Sequence, residues 1–66
     1  MNRAELRAAI ARKNVQKGDL AKALGISRNS LVNKLKGTTE FKESEIQKLI
    51  AVLGLTAKEV NHIFLS

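Results

Sequence analysis

The chain has 66 residues, 44% of them hydrophobic, with no cysteine, no proline and a formal net charge of +6. That length leaves room for one domain, residues 1–66, without disulfides or a Cys-based zinc site to staple it, so helix packing has to supply the stability. The longest hydrophobic run is far too short to cross a bilayer and no signal-peptide pattern opens the chain, so a soluble, intracellular protein is expected.

The elements read as five helices and no strands, because proline is absent and β-branched residues are scattered rather than alternating. The first helix starts behind Asn2, with Glu5 three residues on as in a capping box. It repeats Leu6 and Ile10 at helical spacing and is expected to end near Asn14, after which Val15 turns inward. The second runs from Lys17 to Leu24 with Gln16 as its N-cap, and it gathers Leu20, Ala21 and Leu24 on one face. Gly25 follows at the position where helices most often end in a left-handed residue. Ile26 is the apolar plug of the turn, and Ser27 is a good N-cap for the third helix.

The third helix spans Arg28 to Lys36 and stops at Gly37. At about 100° per residue from Arg28, Leu31 and Leu35 fall at roughly 300° and 340°, which sets the buried direction near 320°. The opposite side carries Asn33, Asn29 and Lys36 at roughly 140°, 100° and 80°, with Val32 on the flank near 40°. After a loop over residues 38–41, the fourth helix starts around Lys42, Glu43 and Ser44. Its stripe of Ile46, Leu49, Ile50 and Leu53 is the clearest core signal, and Gly54 closes it. Thr56 and Glu59 form a capping box before a fifth helix with Val60, Ile63 and Phe64 as its apolar residues.

Charge is unevenly spread along these elements. Residues 1–39 hold nine Lys/Arg (Arg3, Arg7, Arg12, Lys13, Lys17, Lys22, Arg28, Lys34, Lys36) against Glu5 and Asp19, a net of +7. Residues 40–66 hold Lys42, Lys48 and Lys58 against Glu40, Glu43, Glu45 and Glu59, a net of −1. Concentrated positive charge points to an anionic partner. Nucleic acid stands ahead of membrane, because no strongly amphipathic basic helix is apparent.

Residues 16–37, with the spacing Leu20-Ala21-x-x-Leu24-Gly25-Ile26-Ser27, resemble the helix-turn-helix of the small Cro and repressor domains of temperate bacteriophages. The alanine permits close helix approach and the glycine permits the turn. The ending Glu-Ile-Gln-Lys-Leu-Ile-Ala-Val-Leu-Gly-Leu-Thr…Ile-Phe is similar to short phage regulators from Gram-positive hosts. The resemblance implies a five-helix, lambda-repressor-like DNA-binding domain in the cytoplasm of a bacterial host. It implies a transcriptional regulator that docks its third helix in the major groove and occludes a promoter. Lambdoid domains often place glutamines where this chain has Arg28, Asn29 and Asn33, so the operator does not carry over.

With the third helix in the groove, Arg28 suits the O6 and N7 of guanine, and Asn29 and Asn33 suit the N6 and N7 of adenine. Val32 either meets a thymine methyl or packs on the core. The expected phosphate contacts are Gln16 and Lys17 at the start of the second helix, Ser27 at the start of the third, and Lys34, Lys36 and Thr38 at its far end. Gln16 reads equally as a plain cap. Arg12 and Lys13 add field without fixed contacts.

Phe41, Phe64 and Leu65 are either core or dimer contact, with the phenylalanines favoured for the core and Leu65 and Ser66 frayed. A homodimer on double-stranded operator DNA would span half-sites about 34 Å apart. His62 has no partner at metal-ligand spacing, and no nucleophile–base set or glycine-rich phosphate loop is present. Neither an enzyme nor a cofactor is expected. The alternative class is a phage switch protein that uses the same face to bind and silence a partner repressor.

Overall fold

Asn2 opens the fold. In the computed structural model, which describes residues 1–65, its side chain accepts from the Glu5 N–H at 3.1 Å and caps α1, Arg3–Arg12. The chain continues through α2, Lys17–Leu24, α3, Arg28–Lys36, α4, Glu43–Leu53, and α5, Ala57–Phe64. The described residues form an all-α domain of five helices, as the sequence predicts. The Cα radius of gyration of 10.6 Å matches the roughly 11 Å of one compact domain of this length.

Local chemistry sets the ends of α2 and α3. Gly25, at φ 73°, terminates α2 in the left-handed region, and the Ile26 N–H returns to the Ala21 carbonyl at 3.0 Å. An L side chain is strained there, so glycine makes the tight turn possible. Ser27 then accepts from the Ser30 N–H at 3.1 Å and starts α3. Gly37, at φ 91°, ends it, and a Cβ there would also sit 3.2 Å from Arg3 Nε.

Two expectations for α1 need correction. Its capping box is half formed, because the Asn2 N–H is taken by the Ile63 carbonyl of α5 at 2.6 Å. The Glu5 carboxylate instead faces His62 of α5, Oε2 to Nε2 at 3.5 Å. The helix also stops at Arg12 rather than near Asn14. Asn14 takes φ 56°, a left-handed conformation that asparagine tolerates, and the Val15 N–H closes the end on the Ile10 carbonyl.

α2 packs against α3 and α4, while α1 packs against α3 and α5. The core joins Leu6, Ala9 and Ile10 of α1 to Leu20, Ala21 and Leu24 of α2 and Leu31 and Leu35 of α3. Phe41, Leu49, Leu53 and Ile63 complete it, with Val15, Ile26, Ile46, Leu55 and Phe64 partly buried against it.

The expected stripe of α4 is buried at Leu49 and Leu53, and the helix is turned further toward Glu45 than the apolar pattern implies. Its buried face comprises Glu45, Leu49 and Leu53, with Ile46 and Ile50 only half-buried on the flank. In α5, Ile63 alone is fully buried, with Val60 and Phe64 half-buried. Phe41 is in the core, as favoured, and Leu65 is 74% exposed. Ser66 lies outside the described residues.

Leu49 is wholly enclosed and Val52, one turn along α4, is 44% exposed. Leu49→Ala should therefore lower the unfolding free energy by about 2–5 kcal/mol, and Val52→Ala by about 0.5 kcal/mol or less. Urea denaturation followed by circular dichroism measures both. Equal effects would contradict the packing described.

Candidate nucleic-acid interface

α3 meets the rest of the domain through Leu31, Lys34 and Leu35. On the opposite side Asn29, Asn33 and Lys36 are exposed, as are Ser27 and Arg28 at its start and Thr38 just beyond its end. Val32 is half-buried on the flank. α3 carries no acidic residue, so nothing on its outward face repels an anion. Across the turn, Gln16 and Lys17 are exposed at the start of α2, and the Gln16 side chain makes no cap bond there. Ser27 is engaged as an acceptor by its own cap, yet its hydroxyl proton is still available to donate.

Lys34 is the exception among the predicted contacts. It is 8% exposed, and its Nζ donates to Glu45 Oε1 at 2.9 Å and to the Glu40 carbonyl at 3.0 Å. The ammonium also sits 5.9 Å from the centre of the Phe41 ring. Gripping a phosphate would require this lysine to leave the interior and strand Glu45. Lys34 is therefore a structural residue. On the helical wheel it falls at roughly 240°, beside Leu31, a position that already belongs to the inner side.

Glu45 has two donors on one oxygen, because the Lys42 backbone N–H also bonds Oε1 at 2.7 Å. Lys42 has no side-chain acceptor, so this bond from its N–H is what caps the start of α4. Burial pushes the Glu45 carboxyl up. The Lys42 N–H bond, the Lys34 bond and the charges of Lys34 and Lys42 outweigh it, and the group is held below its ordinary value of 4.5.

The end of α3 is fixed a second time from α1. Arg3 Nε donates to the Lys34 carbonyl at 3.2 Å and its Nη2 to Glu40 Oε1 at 3.1 Å. Arg7 Nη1 donates to the Leu35 carbonyl at 2.8 Å. These carbonyls belong to the last turn, where the helix's own N–H groups run out; the Lys34 carbonyl also takes the Gly37 N–H at 3.3 Å. Cations there also suit the negative end of the helix dipole. Sequence reasoning missed both arginines. The available signal was their i, i+4 spacing on one side of the first helix.

Arg12 and Lys13 do more than add field. Both pair with Glu59 of α5, at 3.3 and 3.4 Å. The Thr56 N–H bond is the main cause of a Glu59 carboxyl held down to about 2; desolvation opposes it, and Arg12 and Lys13 assist. By contrast, the side chains of Lys17, Lys22, Arg28 and Lys36 make no hydrogen bond or ion pair among the described residues. Within residues 1–39, the cations open to a partner thus lie on α2 and α3.

Glu45→Ala leaves the Lys34 ammonium buried without its counter-charge. It should cost about 3–5 kcal/mol, whereas cutting the Arg3–Glu40 pair by Glu40→Gln should cost under about 1 kcal/mol because Glu40 is 83% exposed. Chemical denaturation checks both, and equal losses would refute the buried pair. The acid limb follows from the same carboxylates. A group whose folded value lies below its unfolded value stabilises above the unfolded value and loses that contribution as pH falls through the folded one. Thermal stability should therefore decline from near pH 4.5 toward about 2. Glu45→Gln should flatten that decline, and an unchanged acid limb would remove Glu45 from the account.

No curated protein and no solved structure matches the chain. The model of a family described as a protein of unknown function, DUF739, matches residues 2–66. The chain belongs to the DUF739 family.

Proposed function

We propose that this protein is a sequence-specific double-stranded DNA-binding regulator of the phage Cro and repressor kind, acting in the bacterial cytoplasm. It inserts α3 in the major groove of an operator and blocks promoter access. The observation that carries this reading is the outward side of α3. Arg28, Asn29, Asn33 and Lys36 are exposed together, without an acid among them, on a helix whose inner side and end are fixed. A rigid helix with forked and amide donors facing out is the chemistry that base edges require. Gln16 and Lys17 at the start of α2, with Ser27, Lys36 and Thr38 around α3, would position the backbone, while Val32 supplies an apolar contact at the flank. The proposed function is binding without a reaction, on a homodimer if the operator is a pseudo-palindrome.

With no Trp or Tyr in the chain, the binding test uses fluorescently labelled duplexes. The promoter region beside the gene is compared with random-sequence DNA at about 50 and 200 mM salt. Preference for the promoter that survives the higher salt is expected. Weak binding that disappears equally on both would contradict the reading and favour the partner-repressor alternative. Asn33→Ala should reduce promoter affinity by about 1–3 kcal/mol while leaving random-sequence affinity nearly unchanged. Equal losses on the two DNAs would remove Asn33 from base reading.

A further inference from the structure

Two clefts lie between α1, the start of α2 and α3, with volumes of about 400 and 450 Å³. They share Arg7, Lys17 and Leu35 in their walls. Arg28 and Gln16 line the first, and Lys36 and Val32 line the second. No Asp or Glu lines either one. Three cations, one from each of three helices, therefore line each cleft beside the outward side of α3, although they are far apart in sequence. Like charges gathered without an acid among them raise the positive potential there and attract an anion.

We propose that Arg7, Lys17 and Lys36 form a single phosphate-binding site in the second cleft. Under the DNA-binding reading, on which this rests, the site takes one backbone phosphate of the duplex. Arg7 is the centre of the site. Its Nη1 is committed to the Leu35 carbonyl at 2.8 Å, and the guanidinium makes no other hydrogen bond among the described residues. The rest of its planar fork is available for a tetrahedral oxyanion, and the fixed bond to Leu35 holds the fork in place before the anion arrives. Lys17 and Lys36 bring ammonium groups without partners in the fold, so neither has to break an internal bond to join. The anion would then be held by the same arginine that fixes the last turn of α3. A backbone contact would stiffen the helix that reads bases.

The test has two arms on the intact protein. In the first, inorganic pyrophosphate is titrated into labelled protein and followed by NMR. The Arg7 side-chain N–H and the Lys17 and Lys36 signals should move together, and Arg7→Gln should abolish the response. In the second, the salt dependence of duplex binding is compared for wild type, Arg7→Gln, Lys17→Gln and Lys36→Gln. Loss of one phosphate contact should flatten the slope of log K against log salt by about 0.9 and weaken promoter and random DNA by the same factor.

The two lysine variants break no internal bond, so they keep the test valid if Arg7→Gln loosens α3. Unchanged slopes with no pyrophosphate response would overturn the site and leave DNA binding by α3 standing. A pyrophosphate response at all three residues in a protein that binds no duplex would support the phosphate site and sink the DNA reading. Absence of both responses would overturn the two together.

Discussion

One carboxylate oxygen organises this small domain. Glu45 Oε1 accepts from the Lys34 ammonium of α3 and from the Lys42 N–H at the start of α4. It therefore caps one helix and anchors another in the same place. A buried ion pair stabilises little relative to well-packed apolar side chains, but breaking one partner away is expensive. That asymmetry makes the pair a strong constraint on geometry. α3 cannot shift relative to α4 without leaving a buried charge uncompensated. Every buried side-chain N and O among the described residues has a partner, so the polar junction is closed. The arginines of α1 complete it by taking the terminal carbonyls of α3, and Phe41 covers the lysine from the loop.

The consequence is a division of labour among the cations. The count of +7 over residues 1–39 suggests a broad positive surface, yet Arg3, Arg7, Arg12, Lys13 and Lys34 all have partners within the fold. They hold helix ends and tie α1 to α3 and α5. Of the nine, the side chains left without fold partners are Lys17, Lys22, Arg28 and Lys36, all on α2 and α3. Charge in this protein thus works in two ways. Part of it ties the helices of a 66-residue chain that lacks disulfides, and part of it faces outward on a helix whose inner side and end are bonded to the rest of the fold.

The bounds of α2 and α3 were legible to the residue because their signals are local. Gly25, Ser27 and Gly37 each act within one turn of where they stand, and no distant contact overrides them. The outward side of α3 was legible for the same reason, since Leu31 and Leu35 alone orient it. The pairing of Lys34 was hidden because its partner lies eleven residues away on another helix. The wheel angle of Lys34 points to the inner side, but only the assembled fold shows the carboxylate that pairs with it there. α4 misled for a related reason. Leu49 and Leu53 are buried as the stripe implies, but the helix is turned so that Ile46 and Ile50 lie on the flank and Glu45 points inward, where it closes the pair with Lys34. Arg3 and Arg7 reach across 31 and 28 residues to carbonyls of α3, a contact that only the assembled fold defines. Half the capping box at Asn2 was lost in the same way, to a carbonyl of α5.

The central claim is that the outward side of α3, held by the Lys34–Glu45 junction, meets duplex DNA. The most direct measurement is backbone amide NMR of the labelled protein titrated with a duplex selected from a random pool by the protein itself. The account predicts shifts concentrated on residues 16–18 and 27–38, with the Glu45 and Lys42 amides unmoved because the junction stays closed. Shifts centred on α4 and α5, or a pool from which no duplex is enriched, would contradict it.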